Sequence, residues 1–243
     1  MKIIAHRGAS GEFPENTLLA FEQAIIQQAD GIELDAQYHQ KSGQFVLLHD
    51  DYITDENDDE FHYNDLTLSS LLAITLDSQP ITTLGDALTT INGRCLVNIE
   101  LKAATTNSAD IKEITSALHL LLSSFIQKQH YCYSQLVISS FNHHLLARLA
   151  QEFPQLKTAA LIACCPIQLA KLAQDLGAQS INPTINCLHN ALIEDAHQKG
   201  LEVWVYVVDR KRDIARCLQL GVDAIFTNYP NRTKLIVEEL LKT

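Results

Sequence analysis

Short apolar runs alternate along this chain with longer stretches in which apolar residues recur every three or four positions. A short apolar run predicts a buried strand, and the three-to-four spacing predicts a helix with one apolar face. The predicted strands are 2–6, 31–36, 95–101, 136–141, 158–163, 180–183, 202–208 and 223–227. The predicted helices are 18–26, 83–92, 109–129, 143–152, 166–176, 189–199, 210–220 and 231–241.

The number of these elements predicts the architecture. About eight strand–helix units in a chain of 243 residues are the content of a closed parallel (β/α)8 barrel, the TIM barrel fold. The chain has no repeats and no low-complexity linker, so we expect residues 1–243 to form a single domain. Residues 51–80 break the alternation, and we interpret them as a small insertion, or a lid, after the second strand and its hairpin.

The second predicted strand carries two carboxylates on one face. Because side chains alternate along a strand, Glu33 and Asp35 share a side, and apolar residues occupy the other. A return strand is predicted over 45–48. A hairpin centred near Ser42 pairs residues whose numbers sum to about 84, which places Asp35 opposite His49. We therefore expect two carboxylates and an imidazole to converge.

A Glu-x-Asp pair alone is more typical of a solvated strand face. A barrel favours the other interpretation, because residues at the carboxyl ends of its strands face the catalytic mouth. The side chains expected there are those of His6, Glu33, Asp35, Glu100, Lys102, Ser139 and Ser140. Three carboxylates at one rim predict a divalent cation with oxygen ligands, since carboxylates repel one another unless a cation or a proton lies between them.

Composition and charge narrow the possible partners. The net charge of −11 leaves no basic surface for neutralising phosphates, so we expect no nucleic-acid partner. The six cysteines form no Cys-x-x-Cys pair, which favours free thiols in a reducing compartment. The chain enters a strand at once and has no apolar run of roughly 18 residues, so we expect a cytoplasmic protein without stable membrane association.

The polar residues of the predicted mouth suit an anionic substrate centred on phosphorus. Arg7 can bind two phosphoryl oxygens at once, and Lys102 adds a second positive charge. Histidine titrates near pH ~6.5, so His6 and His49 can accept and donate protons at neutral pH. An acid and a base on opposite sides of a phosphodiester are what its cleavage requires.

Seven short motifs occur in order along nearly the whole chain. They are His6-Arg7-Gly8, Pro14-Glu15-Asn16-Thr17, Gly31-Ile32-Glu33-Leu34-Asp35, His49-Asp50, Asn98-Ile99-Glu100-Leu101-Lys102, Ser139-Ser140-Phe141 and Thr227-Asn228-Tyr229-Pro230. Together they resemble the glycerophosphodiester phosphodiesterase family, and most of all its cytosolic bacterial members.

The resemblance implies a TIM barrel with a small insertion and a bound Mg²⁺ or Ca²⁺. The activity it implies is hydrolysis of deacylated phospholipids, which are small molecules, to sn-glycerol 3-phosphate and an alcohol. The roles it implies are metal ligation by Glu33, Asp35 and Glu100, acid–base catalysis by His6 and His49, and phosphate binding by Arg7 and Lys102. Two stretches depart from the family: residues 52–57 replace an Arg-Thr-Thr segment of many members, and Thr227-Asn228 replaces a frequent Thr-Asp.

Three further residues have two interpretations each. Glu15 is either another metal ligand or a first-turn carboxylate that the helix dipole favours. Trp204 and Tyr206 share a strand face, so they either line the mouth or, as is commoner for aromatic residues in barrel strands, pack in the core.

Two other functions fit the same scaffold. A lysophospholipase D-like phosphodiesterase would need an apolar groove for an acyl chain, and a catalytically silent barrel would act as a binding module. No residue of the implied catalytic set is missing, which favours an enzyme. The insertion carries an acidic cluster, and we expect it to favour substrates with a cationic alcohol such as choline. The cluster consists of Asp55, Glu56, Asp58, Asp59 and Glu60.

Overall fold

The computed structural model describes residues 1–54 and 59–242. The strands are β1 (Lys2–Ala5), β2 (Gly31–His39), β3 (Gln44–Leu47), β4 (Tyr52–Thr54), β5 (Glu60–His62), β6 (Thr75–Leu76), β7 (Gln79–Pro80), β8 (Leu96–Lys102), β9 (Leu136–Ser140), β10 (Lys157–Ile162), β11 (Ser180–Pro183), β12 (Glu202–Val205) and β13 (Ala224–Thr227). The α-helices are α1 (Leu18–Ile26), α2 (Leu68–Leu72), α3 (Leu84–Ile91), α4 (Ser108–Gln127), α5 (His143–Glu152), α6 (Lys171–Asp175), α7 (Asn190–Gln198), α8 (Lys211–Leu220) and α9 (Pro230–Leu240).

Eight of these strands form a closed parallel barrel. Their order around the barrel is β1, β2, β8, β9, β10, β11, β12 and β13, and β13 pairs with β1 to close it. The predicted (β/α)8 architecture is therefore confirmed. Helices cover the outside of the sheet, so the strands are buried on both faces. This explains why their sequences are nearly continuous apolar runs.

The interior of the barrel has its own apolar core. Its buried side chains are Ile4, Val137, Ala159, Trp204, Ala224 and Phe226. The indole N–H of Trp204 donates to Glu202 at the start of β12 over 2.6 Å, and Trp204 is 3% exposed. Of its two interpretations, core packing is thus the one that the structure shows.

The hairpin register differs from the prediction by one residue. In the antiparallel pair of β2 and β3, Ala36 lies opposite Leu47, so paired residue numbers sum to 83. The connecting turn, 40–43, has an even number of residues, whereas a hairpin centred on one residue needs an odd number. The predicted pairing of Asp35 with His49 is therefore wrong, and His49 lies beyond the end of β3.

Residues 51–54 and 59–80 pack beside the carboxyl ends of the barrel strands. They form the β4–β5 hairpin, helix α2 and the β6–β7 hairpin. Their side chains Ile53, Tyr63 and Leu71 pack against Leu48. Three residues of the predicted acidic cluster, Asp55, Glu56 and Asp58, lie outside the described residues.

The loop between β1 and α1 is held in a tight conformation. Arg7, Gly8 and Asn16 all have positive φ angles. Thr17 caps α1, because its hydroxyl accepts a hydrogen bond from the N–H of Ala20 over 3.2 Å. The loop therefore leaves β1 and enters α1 along a defined path, which positions Arg7 at the mouth.

Substitution of Gly8 tests this close packing. A Cβ on Gly8 would lie 2.7 Å from the Ala20 backbone, whereas nothing lies within 4 Å of a Cβ on Gly200; the φ angles are +81° and +74°. We expect Gly200→Ala to lower the free energy of unfolding by about 1 kcal/mol, the cost of positive φ. Gly8→Ala should cost about 1–3 kcal/mol more, because of the collision. Urea unfolding measures both, and equal losses would contradict the close approach.

Candidate active site

Three carboxylates meet at the mouth because β2 and β8 pair in parallel. The register places Asp35 beside Glu100, and Glu33 shares the inward face of β2 with Asp35. Glu33 and Asp35 are 2% and 1% exposed, and the Glu100 side chain is 13% exposed. One oxygen of each carboxylate lies within 4.8 Å of the other two. The barrel thus brings together the three residues that the sequence suggested as metal ligands.

Two cations stand next to these carboxylates. Lys102 Nζ donates to Glu100 over 3.0 Å and lies 3.4 Å from Asp35. Arg7 Nε lies 3.0 Å from Asp35 Oδ2, and this contact is an ion pair without hydrogen-bond alignment. The Arg7 backbone N–H donates to Glu33 Oε2 over 2.8 Å. These contacts offset part of the negative charge.

The negative charge that remains on the three carboxylates is still unfavourable. Burial, followed by the charges of Asp35 and Glu100, holds the pKa of Glu33 well above its usual range. Burial and Asp35 likewise raise the pKa of Glu100. Glu33 Oε1 is buried and has no hydrogen-bond partner among the described residues. Three converging hard oxygen donors, one of them unpartnered, fit a divalent cation.

Asn16 holds Asp35 in place. Its side-chain amide donates to Asp35 Oδ2 over 2.9 Å and accepts from the Asp35 N–H over 3.0 Å. The left-handed conformation of Asn16, with φ of +56°, makes this double contact possible. The sequence motif contained Asn16, but its role depends on the packing of the β1–α1 loop against β2.

His6 follows β1 and lines a small interior cavity together with Glu33 and Glu100. Its Nδ1 lies 2.8 Å from the side-chain oxygen of Asn228. Burial, followed by the charge of Arg7, lowers the pKa of His6. The neutral imidazole is therefore favoured, and this is the form that accepts a proton.

His49 follows β3, two residues after its last residue, Leu47. Its side chain is 35% exposed, and its Nδ1 is 2.7 Å from Asp50 Oδ1. A positive charge on His49 would lower the pKa of Glu100. His49 also borders a cavity of about 490 Å³ that extends between Glu15 and the insertion. The hairpin pairing that suggested convergence of His49 with Glu33 and Asp35 was wrong, and the catalytic roles of His6 and His49 stay predictions.

Glu15, Tyr206 and Trp204, which had two interpretations each, have different environments in the structure. Both oxygens of Glu15 accept from Arg7 Nη1 over 2.9 Å, and Glu15 is not part of the three-carboxylate group. Tyr206 lines the cavity that contains His6, and its hydroxyl donates to the Ile162 carbonyl over 2.9 Å. Trp204 packs lower in the barrel, as described above.

A second cavity of about 340 Å³ lies on the β8 and β9 side of the mouth. Lys102 and Phe141 border it from the barrel, and Asp51 and Tyr63 border it from the insertion. The side chain of Gln37 donates to Asp51 over 3.1 Å. The insertion therefore contributes to the walls of both cavities.

The fold and this group of side chains define the class of protein: an enzyme whose site lies at the carboxyl ends of the strands of a (β/α)8 barrel. Residues 6–232 match the sequence model of the glycerophosphoryl diester phosphodiesterase family. The chain therefore belongs to that family, and the resemblance inferred from the motifs is confirmed.

Relatives of known name agree with this assignment. A glycerophosphodiester phosphodiesterase of Caldanaerobacter subterraneus is 32% identical over 237 residues, which cover 94% of each chain. One from Bacillus altitudinis is 29% identical and covers 98% of this chain and 99% of its own. A phosphodiesterase of Oleispira antarctica, solved in complex with the product sn-glycerol-3-phosphate, has the same fold: the TM-score is 0.86 at 23% identity, over 98% of this chain and 97% of that one.

No helix within the described ranges, 1–54 and 59–242, is long and apolar enough to cross a membrane.

The raised pKa of Glu33 lets us predict how the free energy of unfolding depends on pH. In metal-free protein, the folded state binds the Glu33 proton more tightly than the unfolded chain does, because its pKa is raised. The free energy of unfolding should therefore fall as pH rises from the usual glutamate pKa of about 4.3 towards the raised value. Glu33→Gln removes this loss, so the chelated variant should melt at a higher temperature than chelated wild type at neutral pH.

Thermal melts with EDTA, at several pH values, measure the difference. Glu238→Gln changes an exposed acid on α9 and serves as the matched control. Added Mg²⁺ or Ca²⁺ should raise the melting temperature of the wild type and of the control more than that of Glu33→Gln. A Glu33→Gln protein that melts like chelated wild type at neutral pH would contradict the proposed repulsion.

Proposed function

We propose that this protein hydrolyses glycerophosphodiesters, the deacylated forms of phospholipids, to sn-glycerol 3-phosphate and an alcohol. The observation that carries the proposal is the group of three converging carboxylates in contact with two cationic side chains, in a barrel of this family. The name of the Caldanaerobacter relative and the product bound to the Oleispira enzyme support it.

Glu33, Asp35 and Glu100 would hold the cation, which we propose to be Mg²⁺ or Ca²⁺. Both ions prefer carboxylate oxygens, and the three residues offer oxygens within 4.8 Å of one another. When bound, the cation would polarise a phosphoryl oxygen and stabilise the charge that develops on it. Arg7 and Lys102 would hold the other phosphate oxygens, since both cations already lie at this rim.

His6 and His49 would move the protons. The oxygen that attacks phosphorus must lose a proton, and the alcohol oxygen must gain one as its bond to phosphorus breaks. The lowered pKa of His6 keeps its ring neutral, which suits the base. Asp50, at 2.7 Å from His49 Nδ1, can stabilise a protonated ring at the acid position.

The two cavities would accommodate the two arms of the substrate. One borders His49 and Glu15, and the other borders Lys102 and Asp51, so each contacts residues that we assign to the phosphate site or its surroundings. Glu15 would act here by orienting Arg7, and Tyr206 would form part of the wall beside His6. The cytoplasmic location stays a prediction, and the six free cysteines are consistent with a reducing compartment.

A lysophospholipase D-like activity is the second candidate. Leu47, Leu48 and Leu76 line the cavity beside His49, and Leu76 is 38% exposed. This apolar wall could contact the first carbons of an acyl chain. Comparing hydrolysis of glycerophosphocholine and lysophosphatidylcholine tests the choice, and a higher kcat/KM for the lysolipid would favour this candidate over the first.

Metal removal tests the principal proposal. Wild-type protein should release sn-glycerol 3-phosphate from glycerophosphocholine and glycerophosphoethanolamine, and exhaustive chelation should abolish the release. Mg²⁺ or Ca²⁺ should restore it, because the carboxylates would hold the cation that polarises the phosphate. A coupled assay for glycerol 3-phosphate measures the rate, and full activity in chelated enzyme would sink the proposal.

Replacing each histidine tests the proton transfers. His6→Ala and His49→Ala should each lower kcat by about 10²–10⁴-fold, the usual contribution of an acid or base. His144→Ala, on the exposed start of α5, is the control and should keep wild-type activity. Near-normal turnover by His49→Ala would remove His49 from the mechanism.

A further inference from the structure

The ring of His6 is connected to an acidic residue that lies outside the carboxylate group. His6 Nδ1 lies 2.8 Å from Asn228 Oδ1, and Asn228 Nδ2 donates to Asp209 Oδ2 over 2.8 Å. The residues follow β1, β13 and β12, which are neighbours in the barrel. We call this series the Asp209–Asn228–His6 chain.

Asp209 itself is fixed on several sides. Its Oδ1 accepts from the Thr227 hydroxyl over 2.7 Å and from the Asn228 backbone N–H over 2.8 Å. With the Asn228 side chain, the carboxylate therefore accepts three hydrogen bonds. Donors on both oxygens fix the orientation of the carboxylate, which acts as an acceptor in all three contacts.

The carboxylate determines which way the Asn228 amide points. An ionised carboxylate only accepts hydrogen bonds, so the amide NH₂ must face Asp209. The opposite orientation would bring two acceptor oxygens to 2.8 Å of each other. The Asn228 side-chain oxygen therefore faces His6, where it can only accept.

The orientation of the amide in turn determines where His6 carries its proton. A neutral imidazole has one N–H, and the nitrogen that faces an acceptor at 2.8 Å must carry it. Nδ1 is then the donor, and Nε2 keeps the lone pair. The ring lies at the cavity that contains Glu33 and Glu100, so Nε2 is the nitrogen left for the reaction.

We propose that Asp209 and Asn228 are positioning residues, which hold the proton of neutral His6 on Nδ1 and so present Nε2 to the substrate as the base. The proposal rests on the role of His6 in the proposed function. None of these hydrogen bonds involves Glu33, Asp35 or Glu100, so substitutions at Asp209 and Asn228 leave the three carboxylates themselves unchanged.

The tautomer of His6 is directly measurable. Two-bond ¹H–¹⁵N correlations of ¹⁵N-histidine protein distinguish the Nδ1–H from the Nε2–H ring, at about pH 8 where histidine is neutral. Mg²⁺-loaded wild type should show His6 as Nδ1–H, and His6→Gln assigns the signal by its loss. A wild-type His6 in the Nε2–H form would overturn the proposal.

Exchanging Asp and Asn along the chain gives the sharpest test, because the two side chains have the same shape. In Asp209→Asn, the oxygen of residue 209 still accepts from Thr227, and its NH₂ faces the NH₂ of Asn228. The Asn228 amide should then turn over and donate to His6 Nδ1, which moves the ring proton to Nε2. We expect an inverted tautomer and a fall in kcat of about 10–100-fold, the range for loss of an outer orienting partner.

The double exchange Asp209→Asn with Asn228→Asp should reverse both effects. Residue 209 then donates to a carboxylate at 228, and this carboxylate accepts from His6 Nδ1, so the ring proton returns to Nδ1. Asp213 lines the same cavity as Asp209 but is not part of the Asp209–Asn228–His6 chain. The control Asp213→Asn should therefore change neither the His6 tautomer nor kcat.

A purely structural role would give another pattern. Thermal stability would fall in Asp209→Asn, the tautomer would not invert, and the double exchange would not restore kcat; that result would overturn the proposal. An inverted tautomer with wild-type kcat would also overturn it, because His6 would not need Nε2 free. The NMR signal does not depend on turnover. An inactive wild type would contradict the proposed function, whereas a wrong His6 tautomer would contradict the positioning role of Asp209 and Asn228, so the two failures are distinguishable.

Discussion

Electrostatic repulsion among three converging carboxylates, two of them buried, is the constraint around which the mouth of this barrel is organised. The parallel register of β2 and β8 places Asp35 beside Glu100, and Glu33, on the same face of β2 as Asp35, is almost fully buried. A group of this kind is unfavourable alone, which is why burial and like charge raise the pKa of Glu33. The surrounding side chains act to offset the cost, and the fit to a divalent cation follows from the same repulsion.

The β1–α1 loop shows how the fold supplies part of that compensation. The backbone N–H of Arg7, a residue in the left-handed conformation, donates a hydrogen bond to Glu33, and the Arg7 guanidinium forms an ion pair with Asp35. Gly8 allows the loop to approach the backbone of Ala20, and Asn16 turns back to hold Asp35. Backbone geometry and site electrostatics are therefore coupled, because the same residues satisfy both.

Barrel closure supplies the other side of the site. β13 pairs with β1, so residues near the two ends of the chain become neighbours, and Asn228 reaches His6. The site thus draws on residues in or after β1, β2, β3, β8, β12 and β13, and they come from widely separated parts of the sequence. This arrangement accounts for the order of short motifs along nearly the whole sequence.

Sequence alone determined the type and order of the barrel elements, but not the strands and helix of the insertion. Buried strands and one-faced helices leave distinct periodicities, so the eight strand–helix units and the alternation that puts Glu33 and Asp35 on one side were predictable. Resemblance of the motifs also identified the family. Tertiary structure decided the rest, because a one-residue change in turn length shifts a hairpin register, as it does for Asp35 and His49. Only packing in the closed barrel placed Trp204 in the core and Tyr206 at the cavity beside His6, and only it brought Asp209 to Asn228. Side-chain contacts between one strand end and the next leave no local pattern in the sequence.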